Sequence, residues 1–113
     1  MFLELRQYTT NPGQRDNWVQ FMEETIIPFQ VSKGMVIVGS FRGERERPDA
    51  TQDENQYVWI RRFESESERE RLYKAVYQSD EWVNNIAPRI PAMLDRDKIV
   101  VTRIEPTAAS VIH

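Results

Sequence analysis

The sequence predicts an α+β fold in which two helices cover one face of a four-stranded antiparallel sheet. Three observations lead to this prediction: segments in which apolar and polar residues alternate, segments in which apolar residues recur at helical spacing, and the order of these segments along the chain. With 113 residues, one hydrophobic core is sufficient. We therefore expect a single domain at residues 1–106 and a loose tail at residues 107–113.

The first half of the chain supplies a strand, a helix and a second strand. Residues 2–9 alternate as a strand, and Asn11, Pro12 and Gly13 provide turn chemistry after it. An apolar stripe then recurs at helical spacing and predicts a helix that ends near Pro28. The β-branched run at residues 35–42 predicts the second strand. Its register is open, because residues of both parities are apolar.

The second half of the chain repeats the pattern of strand, helix and strand. Residues 56–64 alternate as a third strand, and Ser65 with Glu68 forms a capping-box pattern that begins the second helix. A short helical turn at residues 80–86 follows, and residues 97–106 form the last strand. The predicted order is therefore βαββαβ, the ferredoxin-like arrangement.

The two faces of the predicted sheet have different compositions. We expect one face to lie under the helices because its residues are mostly aliphatic: Leu3, Leu5, Val58, Ile60, Val100, Thr102 and Ile104. The other face carries aromatic, charged and aliphatic residues: Phe2, Glu4, Arg6, Tyr8, Tyr57, Trp59, Arg61, Phe63, Ile99, Val101 and Arg103. Monomers seldom expose so much apolar surface, so we expect the sheet of a second copy to cover this face in a homodimer.

A candidate pocket follows from the charges on that second face. Buried charges require partners, and one acid facing three arginines leaves a surplus of positive charge. The candidate pocket consists of Glu4, Arg6, Tyr8, Tyr57, Trp59, Arg61 and Arg103. The residues leave open whether this face is only an interface with ion pairs or a pocket for a small apolar or anionic molecule.

Composition excludes several classes of site and partner. Cysteine is absent, which excludes disulfides, thiolate metal sites and a thiol nucleophile. The net charge of −3 gives no basic footprint for nucleic acid. No apolar run is long enough to cross a bilayer and no signal-peptide pattern precedes Phe2, so we expect a cytoplasmic protein with no membrane partner.

Metal and cofactor sites are not supported by the sequence. The single histidine is His113, in the predicted tail, which argues against a haem ligand or a Ser-His-Asp triad. Asp49, Asp53 and Glu54 lie close together in a polar loop at residues 43–55, but without the glycine turn and oxygen spacing of a calcium loop. No glycine-rich phosphate loop is present either. We therefore expect no metal and no cofactor.

An ordered set of motifs resembles the NIPSNAP family. The motifs are Glu4-Leu5-Arg6-x-Tyr8 before the Pro12-Gly13 turn, Phe63-Glu64-Ser65 at the start of an arginine-rich helix, and Trp82 after Asp80. The resemblance extends from Leu3 to Pro106. It implies a ferredoxin-like subunit of the dimeric α/β barrel superfamily, and it carries no established catalytic role for Glu4, Arg6 or Tyr8.

The wider superfamily adds one enzymatic alternative. It includes cofactor-free monooxygenases and haem-degrading enzymes, which place the substrate between sheet and helices or within the barrel. The resemblance therefore leaves three interpretations open: a dimer that binds a small molecule, a cofactor-independent monooxygenase-like enzyme, or a purely structural dimer. In the enzymatic interpretation, Trp59, Tyr8 and Arg6 would orient an aromatic or quinone-like substrate.

Overall fold

The computed structural model describes residues 1–44 and 54–112. Residues 45–53 of the predicted polar loop and His113 lie outside the described residues. In chain order the elements are β1 (Phe2–Thr10), α1 (Arg15–Phe21), a first π-helical turn (Met22–Ile26), α2 (Ile27–Ser32), β2 (Val36–Arg42), β3 (Gln56–Phe63), α3 (Glu66–Tyr77), a second π-helical turn (Trp82–Ile86), a short 3₁₀ turn (Ala87–Arg89) and β4 (Leu94–Ile104). This order confirms the predicted βαββαβ fold.

The four strands form one antiparallel sheet in the order β2-β3-β1-β4. Strand β1 is central and pairs on both sides, so that Arg6 lies opposite Trp59 of β3 and Val101 of β4. The neighbouring residue Leu5 lies opposite Ile60 on one side and Thr102 on the other. Alternate residues of β1 therefore continue two different faces across the whole sheet.

The helical elements begin and end for identifiable local reasons. Ser65 caps α3 by accepting a hydrogen bond from the backbone N–H of Glu68 at 3.1 Å, which confirms the predicted N-cap. The first helix was predicted to end near Pro28, but helical structure continues to Ser32. The π-helical turn just before Pro28 changes the local hydrogen-bond register and accommodates the ring. None of the described helices is long and apolar enough to span a membrane.

Two irregularities in the sheet set the registers that the sequence left open. The pairing of β1 with β4 shifts between Gln7 and Thr9, which extends β4 back to Leu94 instead of residue 97. The pairing of β2 with β3 shifts between Ile37 and Gly39. As a result, Ile37 packs against the core, whereas Val36 and Phe41 lie on the opposite face.

The predicted assignment of the two faces is wrong. The helices cover the face that carries Tyr8, Trp59 and Arg61, and this inner face contains the two hydrophobic clusters of the subunit. Trp18 and Met22 of the first helical segment pack against Tyr8 and Trp59, while Leu72 and Val76 of α3 pack near Phe2 and Phe63. The aromatic rings supply the bulk that fills the space under the helices.

The face predicted to lie under the helices has no covering layer in the subunit. This outer face consists of Leu3, Leu5, Gln7, Val36, Phe41, Val58, Ile60, Arg62, Val100, Thr102 and Ile104. It is mainly aliphatic, and its edges are exposed: Phe41 on β2 retains 53% of its accessible surface and Val100 on β4 retains 51%. Only the central Leu3 is fully buried.

Candidate functional site

Glu4 is the centre of a buried polar cluster on the inner face. Its carboxylate accepts hydrogen bonds from Arg61 at 2.5 Å, from Arg69 at 3.1 Å and from Arg6 at 3.2 Å. The Tyr73 hydroxyl donates to the same carboxylate at 2.6 Å. Strand β1 presents Glu4 and Arg6 to the helices, and α3 supplies Arg69 and Tyr73 from above. One carboxylate thus links the sheet to α3.

The cluster strongly favours the charged form of Glu4. Burial alone raises the pKa of Glu4, but the charge of Arg61, the hydrogen bonds from Tyr73 and Arg61, and the charge of Arg6 outweigh it and lower the pKa to about 2. The carboxyl is therefore ionised at neutral pH. Because its oxygens are already engaged by four donors, it is an anchor for cations and not a free base.

Arg61 is fully buried and depends on the cluster for its hydrogen bonds. It donates to Gln30 at 2.9 Å, Tyr77 at 2.7 Å and Tyr73 at 2.8 Å, in addition to Glu4. Its guanidinium also lies 4.8 Å from the ring centre of Trp59. Its Nε has no hydrogen-bond partner among the described residues. Residues of α2 and α3 therefore hold this β3 side chain in place.

The cluster carries more positive than negative charge. Glu4 contacts three guanidinium groups, and Glu66 contacts Arg69 at 3.6 Å and also pairs with Arg103. Two carboxylates therefore face four arginines, which leaves a surplus of two positive charges in this network. Arg69, which was not among the predicted pocket residues, contacts Glu4, whereas Arg103 reaches the network only through Glu66.

Arg6 connects the polar cluster to a cavity. Its Nε donates to the Tyr8 hydroxyl at 2.7 Å, and its Nη1 donates to Glu4. Its Nη2 makes no hydrogen bond with the described part of the chain. The side chain is 16% exposed. Burial alone lowers the pKa of Arg6, but Tyr8 and Tyr77 raise it above its usual range, so the group stays cationic.

The cavity lies between the sheet and the helices and has a volume of about 190 Å³. Both π-helical turns contribute to its wall, through Met22 and Ile26 of the first and Trp82 of the second. π-Helical turns are frequent at functional sites. The lining residues are Arg6, Tyr8, Trp18, Met22, Ile26, Trp59, Tyr77, Trp82, Ile90, Leu94, Arg96 and Ile99. The wall is thus mainly apolar and aromatic, with arginines as its charged groups.

The buried tyrosines of the inner face remain neutral. Burial raises the pKa of Tyr8, and it raises the pKa of Tyr57 and of Tyr73 to about 12. These hydroxyls are therefore hydrogen-bonding groups and not phenolates at neutral pH. The indole N–H groups of Trp18 and Trp59 are also buried, without a hydrogen-bond partner among the described residues. The site as a whole offers donors and positive charge.

The structure brings most of the predicted pocket residues together. Glu4, Arg6 and Arg61 share the polar cluster, and the Tyr8 ring lies 6.2 Å from that of Trp59 and 6.3 Å from that of Tyr57. Of these, Arg6, Tyr8 and Trp59 line the cavity. Arg103 does not join them. It is exposed, pairs with Glu66 and lies over the Phe2 ring at 4.1 Å.

Several residues of the site were not predicted from the sequence. Arg69, Tyr73 and Tyr77 follow one another at intervals of four along α3, which places them on one helical face. This spacing was a usable signal, but the sequence also fits an exposed face of ion pairs. Trp82 and Gln30 gave no such signal, because their roles depend on how the helical segments pack.

Metal-binding groups do not gather in the described residues. Within residues 1–44 and 54–112, no three acidic or histidine side chains are arranged to hold an ion. Asp49 and Asp53, two of the loop carboxylates considered above, lie outside the described residues. The site described here is therefore the polar cluster and its adjoining cavity.

Solved structures with the same fold come from several bacteria. A NIPSNAP family protein of unknown function from Agrobacterium tumefaciens is 22% identical, with a TM-score of 0.83, over 100% of this chain and 94% of that chain. An uncharacterized NIPSNAP-like domain protein from Burkholderia xenovorans is 21% identical, with a TM-score of 0.81, over 96% of this chain and 87% of that chain. At these identities the similarity shows the fold.

Sequence comparison identifies the family directly. No curated protein matches the chain. The NIPSNAP family model matches residues 3–106, which is nearly the whole chain and includes the strands and helices described above except Phe2, the first residue of β1. This protein therefore belongs to the NIPSNAP family.

Proposed function

We propose that this NIPSNAP family protein is a homodimer that binds a small apolar or anionic molecule in the cavity between its sheet and its helices. The observation that carries the proposal is the cavity itself. It is bounded by aromatic rings and joined to a polar cluster with surplus positive charge. Apolar walls with a few convergent polar groups are typical of small-molecule sites.

The cavity differs from a packing defect in its chemistry. A packing defect in a core is normally lined by apolar groups alone, as in engineered cavities that stay dry. Here the lining includes the cationic Arg6, whose Nη2 has no hydrogen bond to the described residues. A partly buried cation with a donor that no described residue engages favours a ligand with an oxygen acceptor.

The outer face supports the dimeric part of the proposal. Its centre is aliphatic, with Leu5 beside Ile60, and large apolar side chains remain exposed at its edges. Monomers seldom expose a contiguous apolar surface of this kind. A second copy would cover it with an identical face, as two-fold symmetric interfaces require. The resemblance to the dimeric α/β barrel superfamily points to the same pairing of sheets.

Ligand binding can be tested by filling the cavity. In Ile99→Trp, a larger side chain on the edge strand β4 would occupy the space while every residue of the polar cluster is retained. Isothermal titration calorimetry with a panel of small apolar and anionic compounds should detect binding to the native protein and none to this variant. Val111→Trp is the matched control, because Val111 is 95% exposed and does not line the cavity.

Two outcomes would contradict the proposal. If no compound of a broad panel binds, or if Ile99→Trp binds as well as Val111→Trp, the cavity is not a ligand site. The purely structural interpretation would then stand. A monomeric mass in light scattering at micromolar concentration would contradict the dimer.

A further inference from the structure

The geometry points to a narrower ligand class: a planar compound with one aromatic ring and one carboxylate, held by Arg6 at its charged end. This inference rests on the proposed function, because it specifies what the same cavity would bind. Size, wall chemistry and charge each restrict the ligand independently.

The size of the cavity restricts the ligand to one ring. A cavity of roughly 150 Å³ is large enough to bind benzene in a protein core. The present cavity, at about 190 Å³, leaves room for such a ring and one small substituent. Because the cavity is partly open to solvent, a second fused ring would extend out of it and gain fewer contacts with its walls.

The walls favour a flat, unsaturated ring. The Tyr8 ring lies 5.9 Å from that of Trp18 and 6.2 Å from that of Trp59, within the range of favourable ring contacts. Met22 adds a thioether, which also interacts well with aromatic rings. An aromatic ligand would join this group through further ring contacts, whereas a puckered aliphatic ring of the same size would not gain them.

The positive charge of the network around Arg6 restricts the ligand to an anion. The surplus positive charge of the network would be partly neutralised by one carboxylate near Arg6. Nη2 is the free donor that such a carboxylate would accept from, in a hydrogen bond assisted by charge. A cationic ligand would meet repulsion from the same groups. A neutral carbonyl compound would gain only the hydrogen bond.

The test uses the native protein and four probes of matched size. All three tryptophans of the sequence, Trp18, Trp59 and Trp82, line the cavity, so that intrinsic fluorescence should report binding there, with calorimetry giving the affinity. We expect benzoate to bind, and benzamide to bind roughly tenfold more weakly, because it lacks the charge. We expect cyclohexanecarboxylate to bind more weakly than benzoate, and benzylammonium not to bind.

A matched pair of variants assigns the charged contact to Arg6. Arg6→Gln should abolish the preference for benzoate over benzamide, whereas Arg71→Gln, which removes an exposed arginine of α3 that does not line the cavity, should preserve it. Because the comparison of benzoate with benzamide uses the native chain, the inference stays testable if Arg6→Gln does not fold.

The outcomes separate this inference from the proposed function. If benzamide binds as tightly as benzoate and Ile99→Trp abolishes both, the cavity is a ligand site and the carboxylate assignment is wrong. Equal binding of cyclohexanecarboxylate would overturn the aromatic assignment. A fifth probe, the two-ring compound 2-naphthoate, tests the size limit, and binding as tight as that of benzoate would overturn the assignment of a single ring. Failure of every probe, here and in the broad panel, would overturn both proposals.

Discussion

The two faces of the sheet differ both in composition and in whether the helices of the same chain cover them. The inner face buries charged and aromatic side chains, among them Glu4, Arg61 and Trp59, under the helices of the same chain. The outer face carries mostly aliphatic residues and has no covering layer within the subunit. Polarity alone therefore does not determine which face of a sheet is buried. A face with charges can be the interior when each charge has partners and the rings supply the bulk.

The largest difference in stability between the faces should appear when two neighbouring arginines, one on each face, are substituted. Arg61→Met removes a fully buried cation, which breaks its ion pair with Glu4 and leaves the side-chain oxygen of Gln30 without its donor, and should lower the free energy of unfolding by about 3–5 kcal/mol. Arg62→Met, on the outer face, removes a surface ion pair with Glu64 and should change the free energy of unfolding by less than about 1 kcal/mol.

Urea unfolding gives the free energy of unfolding of both variants. Both are measured at the same protein concentration, so that any contribution from dimerisation is comparable. Equal losses in the two variants would show that the buried cluster contributes no more to stability than a surface pair does.

The pH dependence of stability should reveal how much the ionised carboxylate of Glu4 contributes to it. Its pKa in the folded protein, about 2, lies below its ordinary value of 4.5. The stabilisation is therefore complete above pH 4.5 and is lost as the pH falls towards 2. The shift corresponds to on the order of 3 kcal/mol.

The measurement compares urea unfolding of the native protein and of Glu4→Gln across this pH range. The advantage of the native protein should shrink as the pH falls. If it stays constant from pH 4.5 to pH 2, the carboxylate is not held ionised by the cluster.

The outer face can be tested with a neighbouring pair of valines. Val100 and Val101 have similar exposure, 51% and 46%, but lie on opposite faces of β4. Val100→Asp would bury a charge in the proposed dimer interface and should weaken dimerisation by roughly a hundredfold. Val101→Asp should leave dimerisation nearly unchanged. Analytical ultracentrifugation over a range of concentrations gives both constants, and equal effects would mean that the interface lies elsewhere.

The smallest expected effect on stability concerns the contact between Phe41 and Gly39 on the edge strand β2. A Cβ atom at Gly39 would lie 2.5 Å from the Phe41 ring, so that the ring must move aside. Because this ring is exposed and free to turn, Gly39→Ala should cost no more than about 1 kcal/mol. In a Phe41→Ala background that cost should disappear. A double-mutant cycle by thermal unfolding measures the coupling, and additive effects would show that the ring does not rest on Gly39.

Much of the fold was predictable from periodicity and local signals. Alternation located β1 and β3, and the capping pattern located the start of α3 at Ser65. The assignment of faces failed because both parities of the strands contain apolar residues, and because aliphatic residues were expected to be inside. Two of the partners that make a buried Glu4 acceptable, Arg69 and Tyr73, are on α3, 65 and 69 residues away in sequence.

The candidate site was predictable in part. Arg6, Tyr8 and Trp59 were identified because they recur with a period of two on paired strands. The cavity itself could not be predicted, because its volume depends on how two helical segments pack over the sheet. No local pattern in the sequence specifies a space between elements.

The two π-helical turns make the cavity sensitive to insertions and deletions. A π-helical turn holds one residue more than an α-helical turn, so deleting one residue within Met22–Ile26 would return that segment to α-helical spacing while the flanking helices keep their faces. The side chains that this turn contributes to the cavity wall would then change position, although the hydrophobic pattern of the sheet would be untouched. In evolution, such a protein can gain or lose its binding space through a change of one residue in length, while its fold and its outer face persist.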